Sequence, residues 1–584
     1  MNHRCGRVLA PRGGPGRAGR ACRRVHALNT HSTASLSAAT SPLARARAFA
    51  AGRAARRGVP IATALLAIAV VLRALQYLAN TSLSLDEAAL ALNVNHRSYA
   101  GLLDQLDFNQ GAPPGFLMLE KLATNALGDT EYALRAIPLA AGMLATFMVA
   151  PFIRRIAHGQ AANVLALTLF GLSGSLVLFS ATGKPYIVDV LMTLALYIIA
   201  MEVLHRPERR LMAIWLIFGA VVIWFSFATV FVLAGIGSIL ILRGVLLRRW
   251  DHVALHAITA AVWLASFGVL YSVSVTDLGH LQESIRDAPG AVGGGGGTEG
   301  PGVFQTLAGA VRYGLGITHL GLWGHDLGKA AFVVAGLLAL VGLVALTRER
   351  ATVAGLLTAP LIFALVAWKL GEYPFFPRTL LFLTPAAIAL IVSGAVRLAT
   401  MTGRTSRAIG IATAGLVVAF IAVPGLKHLV VPQRTSELKP TLRFLTEHQR
   451  RDDTLWVYHA SQYGLRYYLE CGCFASARLV HRARTLWPLR PAEGGADQFS
   501  PTLKSVPPRF IVSRSVRLST AYRSELRDLL GRPRVWILIS DATTTLRHPL
   551  LAFLDEHGTQ RRVFRSRSTG TSAVAYLYDL RRKH

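Results

Sequence analysis

The chain has 584 residues, of which 52% are hydrophobic and only 16% charged, and its mean hydropathy is +0.42. Soluble domains carry about 25% charged residues, so this composition, with its recurring apolar runs of about 20 residues, marks a polytopic membrane protein. The formal charge of +31 does not point to nucleic acid: much of it sits in short loops between apolar runs, as topology signals do, and the rest decorates the two ends, where anionic lipid head groups are the partner.

Residues 1–58 contain many Arg, Ala, Gly and Ser and no Asp or Glu. Such a segment cannot bury a core and is expected to be a disordered, basic cytoplasmic arm. The alternative of a signal or transit peptide fits less well, because the apolar run that follows is too long for a signal core and lacks a small-residue cleavage site. The transmembrane part is expected over 59–424. Its first span, Ile61 to Leu78, starts inside by the basic arm, which puts the next loop, 80–130, outside.

That loop is the densest polar stretch beside any span. It carries Asp86 and Glu87, then Asp104, Asp107, Asn109 and Gln110, and a stop at Pro113-Pro114. Residues 98–127 are only moderately apolar and read as one or two interfacial helices. Further spans are expected at 133–153, 161–179, 186–204, 211–227, 229–247, 254–273, 331–346, 353–370, 379–396 and 409–423, about eleven in all. Every turn that this order places inside is rich in Arg, whereas the outer turns hold isolated cations such as Lys184 and Arg378. The long outer segment 274–326 contains the run Gly293 to Gly297, a connector or, beside a site, a lid.

Residues 425–584 are long enough for an outer soluble domain. Leu438 to Arg450, Tyr522 to Leu530 and His548 to His557 have helical spacing. Thr454 to Tyr458, Arg509 to Ser513, Val535 to Ser540 and Ala573 to Asp579 read as strands. The alternation predicts a small α/β domain, without the glycine-rich phosphate loop of a nucleotide site. The chain has four cysteines, too few for a disulfide scaffold. Cys471 and Cys473 form a C-x-C that reads as two ordinary thiols, ahead of a metal pair or a strained disulfide.

Asp86 and Glu87 permit three readings: a general base for a hydroxyl, ligands of a metal if further oxygen or imidazole groups lie near, or acidic residues in the first turn of a helix capped by Ser82 or Ser84. Lys184 and Arg378 at outer span ends are placed to hold a lipid phosphate and stabilise charge on it as a leaving group, or simply to snorkel to head groups. Tyr186 and Tyr373 suit an interfacial belt. Asp189, one turn inside a span, is costly to bury and points to a polar cavity.

These residues carry a family resemblance. Leu85-Asp86-Glu87-Ala88, Asn93, Asn109 to Gly115, the segment Glu131 to Pro138, Lys184-Pro185-Tyr186 followed by Asp189, and Arg378 to Pro385 resemble membrane glycosyltransferases of the GT-C superfamily. The bacterial branch with protein O-mannosyltransferases and aminoarabinose transferases is the most similar, over roughly residues 60–470. The resemblance implies a GT-C type helical membrane domain with a C-terminal extracytoplasmic α/β domain, in the inner (plasma) membrane. It implies a sugar donor carried on a polyprenyl phosphate, an extracytoplasmic acceptor in the cell envelope, and inverting transfer. Asp86 would be the base, or the orienting carboxylate, for the acceptor hydroxyl, Glu87 would support it or bind the acceptor, and Lys184 and Arg378 would be the donor-phosphate ligands. Asn109, Gln110, Tyr186, Asp189 and Tyr373 would line the substrate cavity. Some members of the superfamily use a divalent metal and others none, and no ligand set in this sequence demands one. The rival class is a transporter or flippase of lipid-linked precursors, which should show internal repeats and broken helices near the midplane. A ligase for lipid-linked polysaccharide is nearer in chemistry but would centre on one large outer loop late in the chain, and a non-catalytic envelope scaffold would have no need of the dense carboxylate loop.

Overall fold

A computed structural model describes residues 42–108, 110–275, 303–316, 324–401, 403–435, 437–487, 509–513, 520–541, 544–566 and 572–581. The chain divides into Met1–Ile61 and Ala62–His584, and the elements that build the site belong to the second. The arm 1–41, Asn109 and most of the glycine-rich segment, including Gly293 to Gly297, lie outside the described residues.

The protein is a helical, multi-pass membrane protein with a small C-terminal sheet. Helix α1 (Pro42–Leu78) supplies the first apolar stretch, Val59–Leu78. Two short helices, α2 (Leu85–His96) and α3 (Pro114–Leu127), follow before the next long one, α4 (Glu131–Arg154). Then come α5 (Gln160–Gly171), α6 (Gly174–Phe179), α7 (Tyr186–His205), α8 (Arg209–Val222), α9 (Thr229–Leu246) and α10 (Trp250–Leu270). The bundle is completed by α11 (Val303–Gly314), α12 (Gly324–Lys369), α13 (Thr384–Thr400) and α14 (Arg404–Lys427).

Among the described residues, eight helices are long and apolar enough to cross a membrane, against about eleven expected. Three local features account for the difference. The expected span 161–179 is two helices, because Ser173 caps a new one: its Oγ accepts from Leu176 N at 3.4 Å and donates to Gly314 O at 2.8 Å. Helix α8 stops at Val222, short of the expected Phe227. The spans expected at 331–346 and 353–370 are joined in α12, which leaves helical geometry at Arg350 (φ −147°, ψ 63°). That break falls in the Arg348-Glu349-Arg350 turn. Helices α12 and α13 cross backbone to backbone at Gly342 and Gly394, where a methyl group on either would collide with the carbonyl of Leu390 or Leu338. Small residues at such crossings replace the hydrophobic drive that lipid does not provide.

The C-terminal part begins with α15 (Leu438–His448), β1 (Thr454–Val457), α16 (Ser461–Cys471) and α17 (Ala477–Leu486). It continues through β2 (Phe510–Val512), α18 (Thr520–Arg527), β3 (Val535–Ile539), α19 (Thr544–His557), β4 (Thr559–Arg565) and β5 (Val574–Asp579). Strand order is β2-β1-β3-β5-β4, with β2, β1 and β3 parallel and the β3–β5 and β5–β4 pairs antiparallel. Alternate residues serve two cores, as a pleated strand requires. Trp536 and Leu538 join Leu442, Leu465 and Tyr468 in an apolar core continuous with the membrane helices. Val535, Ile537 and Ile539 join Leu526, Leu550 and Leu554 on the other face. All four expected strands are present. Strand β4 (TQRRVFR) is an addition, a mostly exposed edge whose basic residues suit an unpaired margin.

Cys471 and Cys473 are a correction: they form a disulfide, not two thiols. Gly472 between them adopts φ +67°, a left-handed turn that closes the end of α16 and brings the two Cα atoms to 5.2 Å.

Candidate functional site

The site is built from the start of α2. Ser84 is extended (φ −70°, ψ 167°), and both its N–H and its hydroxyl donate to Glu87 Oε2 at 3.0 Å. The other oxygen, Oε1, accepts from Arg135 Nε and Nη2 on α4, each at 3.2 Å, and from Gly183 N at 2.9 Å. Arg135 Nη1 also donates to Thr81 O at 2.8 Å. The two side chains are 4% and 3% exposed. Both oxygens of Glu87 thus have fixed partners, as a buried ion pair requires, and the residue ties together α2, α4 and the 182–185 turn.

Asp86 has the opposite environment. One residue along a helix turns by about 100°, so Asp86 points away from Arg135. Its Oδ2 lies 2.8 Å from Arg378 Nη1, with the pair still 31% and 47% exposed. Arg378 is presented by a short, internally braced loop. The Tyr373 hydroxyl donates to Thr379 O at 2.8 Å, and Thr379 Oγ1 accepts from Phe376 N at 3.1 Å while donating to Pro374 O at 2.7 Å. Phe375 is buried against Trp368, and Phe376 lies under the guanidinium at 5.8 Å.

Lys184 follows Gly183 in the turn between α6 and α7. A Cβ on Gly183 would press on Leu134 O at 3.2 Å, so the close approach that lets its N–H reach Glu87 favours glycine. Lys184 Nζ donates to Gln110 Oε1 at 2.6 Å, and Gln110 Nε2 returns to Phe108 O at 3.2 Å. Burial lowers the Lys184 pKa to about 8, with the Asp86 carboxylate working in the other direction and Arg378 adding to the fall. Lys184, Asp86 and Arg378 therefore share one electrostatic neighbourhood. Asp189 is buried in the first turn of α7, and its Oδ1 has no hydrogen-bond partner among the described residues. Tyr186 and Tyr373 lie within its field.

The structure therefore gathers Asp86, Lys184, Arg378, Gln110, Tyr186, Asp189 and Tyr373, and sets Glu87 behind them. Tyr373 acts mainly on the loop that carries Arg378. Asn109 lies outside the described residues. Four residues were not singled out from the sequence: Arg135, Gly183, Tyr313 and Glu120. Arg135 had a signal, a lone cation entering an apolar run. Tyr313, on α11, faces the Phe179 ring at 5.8 Å while Tyr186 faces it at 5.1 Å, and both phenols lie in the field of Arg378. Among the described residues, no group of three or more His, Cys, Asp or Glu is arranged to hold a metal ion.

The C-terminal part clamps this loop. Lys439 N donates to Ser82 Oγ at 3.0 Å and its ammonium lies 2.7 Å from Glu131. The Tyr468 hydroxyl accepts from Leu83 N at 2.7 Å, and His96 meets Glu470 at 2.7 Å. Tyr463 packs edge-on to Phe108 at 4.9 Å, beside the residue that positions Gln110.

Fold and site together define a multi-pass membrane protein with a polar centre at one edge of its bundle, roofed by an α/β region. Two solved structures are similar in part. One is ArnT from Cupriavidus metallidurans bound to undecaprenyl phosphate, at 12% identity and TM-score 0.44 over 88% of this chain and 97% of that one. The other is the Archaeoglobus fulgidus oligosaccharyltransferase in complex with Zn and sulfate, at 12% identity and TM-score 0.44 over 69% of this chain and 61% of that one. This chain thus spans less than two thirds of the oligosaccharyltransferase. No family model and no curated protein matches the chain.

Proposed function

We propose that the protein is an integral-membrane glycosyltransferase that moves a sugar from a polyprenyl-phosphate donor to an extracytoplasmic acceptor. The observation that carries this reading is the half-open Asp86–Arg378 pair, a carboxylate and a cation left accessible with the buried Lys184 ammonium beside them, while neighbouring Glu87 is closed off. The donor class comes from the family resemblance of the sequence. The N-terminus is read as cytoplasmic and the α/β region as extracytoplasmic, in the inner membrane, from the distribution of Arg.

In this mechanism Lys184 and Arg378 bind the donor phosphate, and Arg378 exchanges Asp86 for it. The freed Asp86 carboxylate accepts the proton of the acceptor hydroxyl as that oxygen bonds to the anomeric carbon. The bond from that carbon to the phosphate oxygen breaks, its electron pair leaves with the lipid phosphate, and the cations hold the new charge. A single in-line displacement inverts the anomeric centre. Tyr186, Tyr313 and Gln110 shape the approach.

The test is a transfer assay in proteoliposomes with a panel of polyprenyl-phosphate sugars and cell-envelope glycan as acceptor. Release of polyprenyl phosphate is read by mass spectrometry, with and without a chelator. Release by the wild type and none by Asp86→Asn is the expected result. A donor that crosses the bilayer without being consumed would replace this reading with the flippase one.

A further inference from the structure

Glu120 on α3 is 1% exposed, and neither of its carboxyl oxygens has a hydrogen-bond partner among the described residues. It lines a small cavity with Glu87, Leu83, Leu90, Val94 and Gly183, with room for about one water molecule. The charged groups that face it are few. Glu87 on α2 is the nearest, already balanced by Arg135 on α4. The turn that lines the cavity at Gly183 carries Lys184, which is engaged with Gln110. On its own helix, Lys121 reaches instead to the carbonyls of Val94 and Asn95 at 2.9 and 3.1 Å.

A second carboxylate here would be a buried charge with no counter-ion of its own beside a carboxylate already paired with Arg135. Such a group takes up a proton. Burial, and then the Glu87 charge, push the Glu120 carboxyl well above the usual carboxylate range. A neutral acid has one O–H to donate, and the only anionic acceptor lining the shared cavity is Glu87.

We propose that Glu120 is a positioning residue held as a neutral carboxylic acid, hydrogen-bonded through one cavity water to the Glu87 carboxylate that fixes the Lys184 turn. Its value to transfer rests on the reading of Lys184 as a donor-phosphate ligand; its protonation does not. The stability linkage has a definite sign. Unfolded, Glu120 ionises in the ordinary carboxylate range; folded, it keeps its proton. Its contribution is therefore complete below that range and is lost as pH rises through the folded-state pKa.

The experiment compares full-length wild type with Glu120→Gln in lipid nanodiscs. Infrared difference spectra at pH 7 should show a protonated-carboxyl stretch in the wild type that the variant lacks. On raising the pH, the wild-type melting temperature should fall relative to that of the variant, whose amide does not titrate. Near neutral pH the variant should keep transfer within about threefold of wild type, and Glu120→Asp, which shortens the reach, should raise the donor KM. An unchanged infrared band, melting curves that run parallel in pH, or a Glu120→Gln chain that fails to fold would each overturn the proposal, since an isosteric neutral donor should replace a neutral acid. The infrared and melting readouts need no substrate. If they hold and no donor is consumed, the transferase reading fails and this one stands.

Discussion

The floor and the mouth of the polar centre use the same residue types for opposite ends. At the floor, Glu87 meets Arg135, Ser84 and Gly183: one carboxylate oxygen is filled by its own helix cap and the other by partners fixed in two other elements. At the mouth, Asp86 meets a single arginine from a loop, and both remain partly open. The two carboxylates are adjacent in sequence, so composition and local pattern are identical for them. What separates them is the helix rotation, which turns one toward the packed bundle and the other toward the opening. A closed ion pair holds parts in place; an open one exchanges partners.

The comparison is broken first at the mouth. Asp86→Asn should lower transfer by about 10²–10⁴-fold, the usual worth of a general base, while the melting temperature stays at the wild-type value, because the amide can still meet Arg378. A large loss of stability in this variant would move Asp86 to the floor. The floor gives the reverse pattern. Glu87→Gln leaves the buried Arg135 without its hydrogen-bonded counter-ion and should cost about 3–5 kcal/mol of stability, read as lower expression and a lower melting temperature, with activity lost in proportion to folded protein. An Arg135→Met, Glu87→Met double variant should recover part of that stability.

Lys184 stands between the two, fixed by the floor and used at the mouth. With a pKa near 8, it is charged below that value and neutral above it. The kcat/KM for the donor should therefore fall as pH rises past about 8, and Lys184→Arg should push that limb to higher pH. The effect on stability has the opposite sign. Between about 8 and 10.5 the unfolded chain binds the proton that the folded chain has lost, so this residue's contribution to stability rises with pH. Lys184→Met should raise the donor KM by about 10–100-fold, as loss of a charge-assisted bond does, and should not destabilise.

Much of the mouth was legible because its residues break an apolar context. Asp86, Lys184, Asp189 and Arg378 are ionisable groups at or just inside the ends of apolar runs, where their cost demands a reason. Their meeting was not legible, since Asp86 and Arg378 come from opposite ends of the membrane part. Glu87 carried the same signal as Asp86, and only its contact with Arg135 assigns it to the floor. Glu120 left no signal, because Glu120-Lys121 in a 14-residue helix reads as ordinary surface charge. In the C-terminal part, β3 announced itself as a continuous apolar run, every residue of which is buried, and β5 is buried along its length up to and including Asp579. Strand β4 did not, because its outward basic residues mask the alternation.

The smallest effect expected comes from the clamp above the mouth. The Cys471–Cys473 bridge closes a loop of only three residues, and the entropy that a cross-link removes from the unfolded chain grows with loop length, so this one is worth about 1–2 kcal/mol at most. It sits at the end of α16, the helix whose Tyr468 and Glu470 meet Leu83 and His96. Cys471→Ser with Cys473→Ser should therefore speed amide exchange in the last turn of α16 and shift the melting temperature by less than about 4 °C. Transfer should be unchanged, because Ser82 is also held through Lys439 on α15, which does not depend on the bridge. Loss of transfer on reduction, with the melting temperature unmoved, would instead make α16 part of the mouth and tie Asp86 to the redox state of the bridge.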